Sequence, residues 1–137
     1  MHWLAEKVTD LQSRALAYQQ ARGGTAEVAA TARRDLFEAL REVVGELASR
    51  EGVLAAFVQH EGLLMEGVGE RAELEAAAAM AQLLIPPIGQ VQNTLSLGQV
   101  RQMVLVGDER KLVLLIFPEI CLGMLAPSDT RLAERLA

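Results

Sequence analysis

Residues 53–88 read VLAAFVQHEGLLMEGVGERAELEAAAAMAQLLIPPI, and this stretch decides the fold. Residues 53–59 are apolar and partly β-branched, as expected of a strand, and residues 63–65 begin a returning strand that ends near Gly67. The turn at residues 60–62 is short enough to require antiparallel pairing. Glutamates then open a helix, where their charge complements the helix dipole. The stretch therefore predicts a β-hairpin followed by a helix.

The flanking segments extend this pattern in both directions. Upstream, helical spacing predicts a first helix over residues 3–21 and a second one that Thr25 caps and that ends near Ser49. The helix after the hairpin should run to residue 84 or 85, kink at Pro86 and Pro87, and continue for a turn or two to about residue 95. Downstream, the sequence predicts three strands and a short last helix, at residues 100–106, 111–117, 120–126 and 130–136.

The order of these elements predicts an α+β (α/β) fold. Short turns between neighbouring strands favour one five-stranded antiparallel sheet, with the long crossover helix on one face and helices on the other. Residues 1–24 form an N-terminal amphipathic helix extension, and residues 25–137 form the domain itself.

The first helix carries a narrow apolar stripe. Two interpretations of this stripe remain open: it packs on its own domain, or it docks onto a partner helix. Its residues are Leu4, Val8, Leu11, Ala15 and Tyr18.

The composition argues against nucleic-acid binding, secretion and membrane insertion. Thirteen basic and 18 acidic residues give a net charge of −5, and Arg33–Arg34 is the one adjacent basic pair, so nucleic acid is not expected to bind. A single cysteine, Cys121, and an N-terminus without a secretion signal indicate a cytoplasmic protein. The uncharged residues 76–100 include polar side chains and two prolines, so no transmembrane segment is predicted.

No catalytic, cofactor or metal site emerges from the motifs. Residues 67–72 formally match a dinucleotide fingerprint, but the glutamates in the following turns would repel a pyrophosphate. His2 and His60 lack neighbours at metal-ligand spacing, and Cys121 has no local activating base. We therefore expect neither a cofactor nor enzymatic activity.

The uncharged helix is apolar on two sides, which is more than one sheet can cover. Leu74, Ala81 and Ile85 should face the domain's own sheet, and the second side should face another chain unless the first helix folds over it. Residues 100–106 follow the crossover and should form an exposed sheet edge that pairs with a second copy. The predicted interface comprises Ala76, Met80, Leu83, Leu84, Val100, Arg101, Met103 and Leu105.

From about Thr31 to the end, the chain resembles the roadblock / dynein light chain family, in particular its prokaryotic small-GTPase regulators. The resemblance rests on GVLAAFV at 52–58, EGL at 61–63, the alanine-rich helix, LG at 97–98, the turn at 107–108 and LGML at 122–125. Three features depart from the family pattern: Glu61 where aspartate is frequent, the Pro86–Pro87 pair, and the additional N-terminal helix.

The resemblance implies a homodimer in which edge strands pair and the central helices lie side by side. It also implies a non-enzymatic partner of a Ras-like small GTPase, which can stimulate GTP hydrolysis by positioning the GTPase's own residues. Arg71 and Arg101 are candidates for contact with an acidic GTPase surface, not arginine fingers. The alternative is a structural scaffold subunit whose binding does not depend on nucleotide.

Overall fold

A computed structural model describes residues 3–116 and 120–129. Three helices and five strands follow one another along the chain. They are α1 (Trp3–Ala21), α2 (Ala26–Ala48), β1 (Ala55–His60), β2 (Leu63–Val68), α3 (Arg71–Thr94), β3 (Gln102–Val106), β4 (Arg110–Ile116) and β5 (Cys121–Pro127). The short helix predicted over residues 130–136 lies outside the described residues.

The five strands form one antiparallel sheet in the order β2-β1-β5-β4-β3. Strands β2 and β3 therefore lie at opposite edges, and α3 carries the chain from one edge to the other. This arrangement confirms the predicted five-stranded sheet with a long crossover helix. It also confirms that the first strand after the crossover is an edge strand.

The two faces of the sheet are covered by different helices. Side chains alternate along β1, so Ala56 and Val58 join the core beneath α2, while Ala55 and Phe57 join the core beneath α3. The core on the α2 side also includes Val8 and Leu11 of α1, so α1 lies beside α2 and not over α3.

Phe57 lies directly opposite Gly123 on β5. A Cβ atom at position 123 would lie 2.1 Å from the Cζ atom of the Phe57 ring. Only glycine leaves room for this ring, which fills the core under α3.

The hairpin between β1 and β2 has a two-residue turn. Glu61 and Gly62 both have positive φ, 52° and 82°, which is the type I′ geometry that suits the twist of paired strands. The Gly62 N–H donates to Oε1 of the buried Gln59 at 2.7 Å. This hydrogen bond gives the buried side-chain carbonyl of Gln59 a partner and also fixes the turn.

Helices α2 and α3 each begin at a side-chain cap. Thr25 Oγ1 accepts a hydrogen bond from the Val28 N–H at 3.2 Å, as the sequence predicts. At the start of α3, the Glu70 carboxylate accepts from the backbone N–H groups of Ala72 and Glu73, at 3.2 and 3.0 Å.

Helix α3 continues through Pro86 and Pro87 to Thr94, where the sequence had predicted an interruption at the prolines. Each proline removes one N–H donor, which leaves the carbonyls of Gln82 and Leu83 without their usual partners. Leu83 is 67% exposed, so this side of the helix is open to water that can replace the missing donors. The helix therefore ends close to the predicted residue 95, and residues on both sides of the prolines belong to one helix.

Candidate interaction surface

The inner side of α3 packs against the domain's own sheet. Leu74, Ala78 and Ala81 are buried, and Ile85 is half-buried against the same core. Leu74 can approach the sheet closely because position 67 is glycine: a Cβ there would lie 2.8 Å from the Leu74 Cδ1 atom. The sheet-facing side of this helix is therefore the one that the sequence predicted.

The outer side of α3 is not covered by any element of residues 3–116 and 120–129. Ala76 is exposed, Met80 is 51% exposed and Leu83 is 67% exposed. The apolar side continues past the prolines to Val91 and Leu95, which are 48% and 63% exposed. Because α1 packs beside α2, the alternative in which α1 covers this side does not apply.

Leu84 differs from the other predicted interface residues of α3. It is half-buried and packs against the core between α3 and the sheet. Leu84 follows Leu83 by 100° around the helix, which turns its side chain toward the sheet. Leu84 therefore contributes to the domain's core, and its place in the interface stays a prediction.

Strand β3 presents the second part of the surface. It pairs with β4 alone in the described part of the chain, so the hydrogen-bonding groups on its other side are open. Met103 is half-buried against the α3 core, and Leu105, two residues along, points to the same face and is 45% exposed. The outer side of α3 and this edge therefore lie on one side of the sheet; we call them together the α3–β3 surface.

The two residues before β3 are not part of the strand as assigned. Val100 is half-buried and its N–H donates to Gln92 Oε1 at 2.9 Å, which ties the loop to α3. Arg101 is exposed, and its carbonyl accepts from the Ile116 N–H at 2.9 Å. Val100 therefore precedes the edge strand, whereas Arg101 extends the pairing of β3 with β4 by one residue.

The apolar stripe of α1 lies inside the domain. Val8 and Leu11 are 2% and 0% exposed, and Ala15 and Tyr18 pack against the same core. The Leu4 side chain lies outside the described part. Lys7 Nζ adds a salt bridge to Glu42 Oε1 at 3.1 Å. At Val8 and Leu11 the stripe offers no exposed surface to a partner.

The sequence motifs drew attention to a cysteine, a glycine-rich turn before α3 and possible metal ligands. Burial raises the pKa of the Cys121 thiol to about 11, so it stays protonated at neutral pH. The Glu70 carboxylate occupies the N–H donors at the start of α3 that a phosphate would need. Within residues 3–116 and 120–129, His, Cys, Asp and Glu side chains form no group of three that could hold a metal ion.

None of the described helices is long and apolar enough to cross a membrane.

Sequence reasoning missed several exposed apolar residues of α3 and β3. Val91 and Leu95 lie in the uncharged run, but the prolines suggested that the helix changed direction before them. Val104 and Val106 of β3 are 43% and 67% exposed and point to the face opposite Leu105. The signal for them was the uninterrupted apolar sequence MVLV at 103–106.

Comparison with known proteins gives a match at the level of structure. No family model and no curated protein matches the chain. A Roadblock/LC7 domain from Streptomyces avermitilis has a TM-score of 0.60 at 23% identity, over 69% of this chain and 83% of that one. MglB of Myxococcus xanthus has a TM-score of 0.63 at 15% identity, over 71% and 76% of the two chains. An MglB structure with a tetrameric arrangement has a TM-score of 0.64 at 14% identity, over 73% and 79%. The chain therefore has the Roadblock/LC7 fold.

Proposed function

We propose that this chain is a cytoplasmic, non-enzymatic homodimeric adaptor that binds a Ras-like small GTPase. The observation that carries the proposal is the α3–β3 surface, an apolar helix side next to an unpaired sheet edge. Both the fold and the family resemblance point to the same use of this surface. The tetrameric arrangement of one similar MglB structure supports self-association of such domains.

The two parts of the surface suit a second copy of the chain. Antiparallel pairing of two β3 strands would satisfy the open edge of each copy and would continue the sheet. This pairing would also bring the outer sides of the two α3 helices together. The small side chain of Ala76 allows a close approach of the helices, and Met80 and Leu83 supply apolar area to bury.

Binding of a Ras-like GTPase follows from the resemblance to the roadblock family, whose fold this chain has. Arg71 is held by Glu75, with Nε 2.7 Å from Oε1, and its position at the start of α3 is fixed by the helix. Regulators of the kind that the resemblance implies position the GTPase's own residues and need not donate an arginine. We therefore propose that any stimulation of hydrolysis comes from positioning the GTPase's own residues.

The test uses each Ras-like small GTPase that the same genome encodes, purified and loaded with either GDP or a non-hydrolysable GTP analogue. Biolayer interferometry against the immobilised chain should show about tenfold tighter binding of the analogue-loaded form, equivalent to about 1.4 kcal/mol. Single-turnover hydrolysis measured with Arg71→Ala and Arg101→Ala should match the wild-type chain. A large loss of stimulation in either variant would contradict the positioning role.

The scaffold alternative makes a different prediction in the same experiment. Equal affinity for both nucleotide states would support a scaffold subunit, and absence of binding in both states would refute the GTPase proposal. The structure removes one argument for the scaffold, since the α1 residues Val8 and Leu11 are buried in their own domain.

A further inference from the structure

One face of α2 is basic and lies away from the α3–β3 surface. Three arginines, Arg33, Arg34 and Arg41, lie on one side of the helix together with Ala30, Phe37 and Glu38. These six residues line a surface groove of about 490 Å³. We call it the α2 groove.

The α2 groove opens beside β2, at the edge of the sheet opposite to β3. Arg41 Nε lies 3.7 Å from Glu66 Oε1 on β2, and Phe37 packs against the same core as Met65 of that strand. On the other side of α2, Glu42 pairs with Lys7 of α1. Helix α1 therefore flanks α2 on the side away from the groove, which stays open within the described part of the chain.

The groove combines positive charge with an apolar floor. The three arginine side chains are exposed, and Glu38 is the one carboxylate among the lining residues. The guanidinium carbon of Arg33 lies 4.6 Å from the centre of the Phe37 ring, a cation–π contact that orients this arginine. Ala30 and the half-buried Phe37 form the apolar part.

This concentration of positive charge contrasts with the rest of the chain, whose net charge is −5. An acidic chain repels nucleic acid and anionic membranes over most of its surface, and those ligands need broad basic patches. The α2 groove is short by comparison, since residues 30–41 span about 16 Å of helix. Arginine guanidinium groups are well shaped for carboxylates, which they can bind through two parallel hydrogen bonds.

We propose that the α2 groove docks an acidic segment of a partner protein, in which carboxylates pair with the arginines and an apolar side chain lies on Phe37. The site does not depend on the proposed GTPase binding. It lies on the opposite face of the sheet from α3, and β2 is separated from β3 by three strands. The chain can therefore hold this partner while its α3–β3 surface is occupied.

The test measures binding of a fluorescein-labelled peptide of alternating aspartate and leucine by fluorescence anisotropy. The wild-type chain should bind it, and the Kd should rise with ionic strength because exposed charge pairs are screened. The triple variant Arg33→Ala/Arg34→Ala/Arg41→Ala should weaken binding about tenfold or more, equivalent to at least about 1.4 kcal/mol. The control variant Arg14→Ala/Arg22→Ala/Arg110→Ala removes the same charge elsewhere and should retain wild-type binding.

Two further readouts separate this site from non-specific attraction. In a titration followed by 1H–15N correlation spectra, the peptide should shift amide signals of residues 30–41 and of β2, and leave those of α3 unchanged. Shifts confined to other regions, equal weakening by both triple variants, or no binding of the peptide would overturn the proposal. Arginine-dependent binding of single-stranded RNA or phosphatidylserine vesicles in place of the peptide would also overturn it. Circular dichroism should show that both triple variants are folded.

Discussion

The substitution Met80→Glu should convert the proposed dimer into a folded monomer. Met80 is 51% exposed on the outer side of α3. Burying a whole side chain of this size contributes about 1.5–3 kcal/mol, so burial of its exposed half contributes about 1 kcal/mol, or about 2 kcal/mol for two copies. Glutamate loses this contribution and adds two carboxylates whose desolvation costs several kcal/mol more. A total of about 4 kcal/mol or more raises the dimer Kd about a thousandfold.

Sedimentation velocity over a range of protein concentrations measures this change in Kd directly. Leu16→Glu is the matched control, because Leu16 is 52% exposed on α1, beyond the opposite face of the sheet. This variant should keep the wild-type dimer. The thermal unfolding midpoints of both variants should stay close to that of the wild-type protein, since neither residue belongs to the core. An unchanged dimer in Met80→Glu, or an equal loss of dimer in Leu16→Glu, would refute the assignment of the interface.

Three further predictions concern the core. Gly123→Ala should lower the free energy of unfolding in urea by about 1–3 kcal/mol, because the added Cβ would overlap the Phe57 ring. The control Gly45→Ala should raise this free energy by about 0.5–1 kcal/mol, because a Cβ there has no atom within 4 Å and alanine favours the helix. Leu11→Ala should lower the free energy of unfolding by about 2–5 kcal/mol, whereas Leu16→Ala should change it by less than about 0.5 kcal/mol. The thiol of Cys121 should react with a disulfide reagent only after unfolding; because burial raises its pKa from 9.0 to about 11, its contribution to stability should be complete below pH 9 and decline as the pH rises toward 11.

The order and pairing of the elements follow from local signals in the sequence. The turn at Glu61–Gly62 fixes an antiparallel hairpin, and Thr25 marks the start of α2 through its side-chain hydrogen bond. The two sides of α3 follow from the spacing of Leu74, Ala78 and Ala81. These features depend on neighbours in the chain, so a single sequence is sufficient to predict them.

Features that depend on tertiary contacts were harder to predict. The prolines were expected to interrupt α3, yet the helix continues through them. The N–H donors that they remove can be replaced by water, because this side of the helix is open to solvent. Leu84 lies next to Leu83 in sequence, and only the position of the sheet separates a core residue from an exposed one. The apolar stripe of α1 predicts that one side of the helix is buried, but it does not indicate which element covers that side.

The position of α1 separates the stability of the domain from its proposed assembly. Since α1 buries Val8 and Leu11 beside α2, it belongs to the core on the face of the sheet away from α3. Truncation of Leu11 to alanine should therefore weaken the fold but leave the α3–β3 surface intact. Met80→Glu should do the reverse, because Met80 contributes to the outer side of α3 and not to the core. If Leu11→Ala left stability unchanged but abolished the dimer, α1 would have to pack across copies, and the assignment of α3 as the assembly surface would fail.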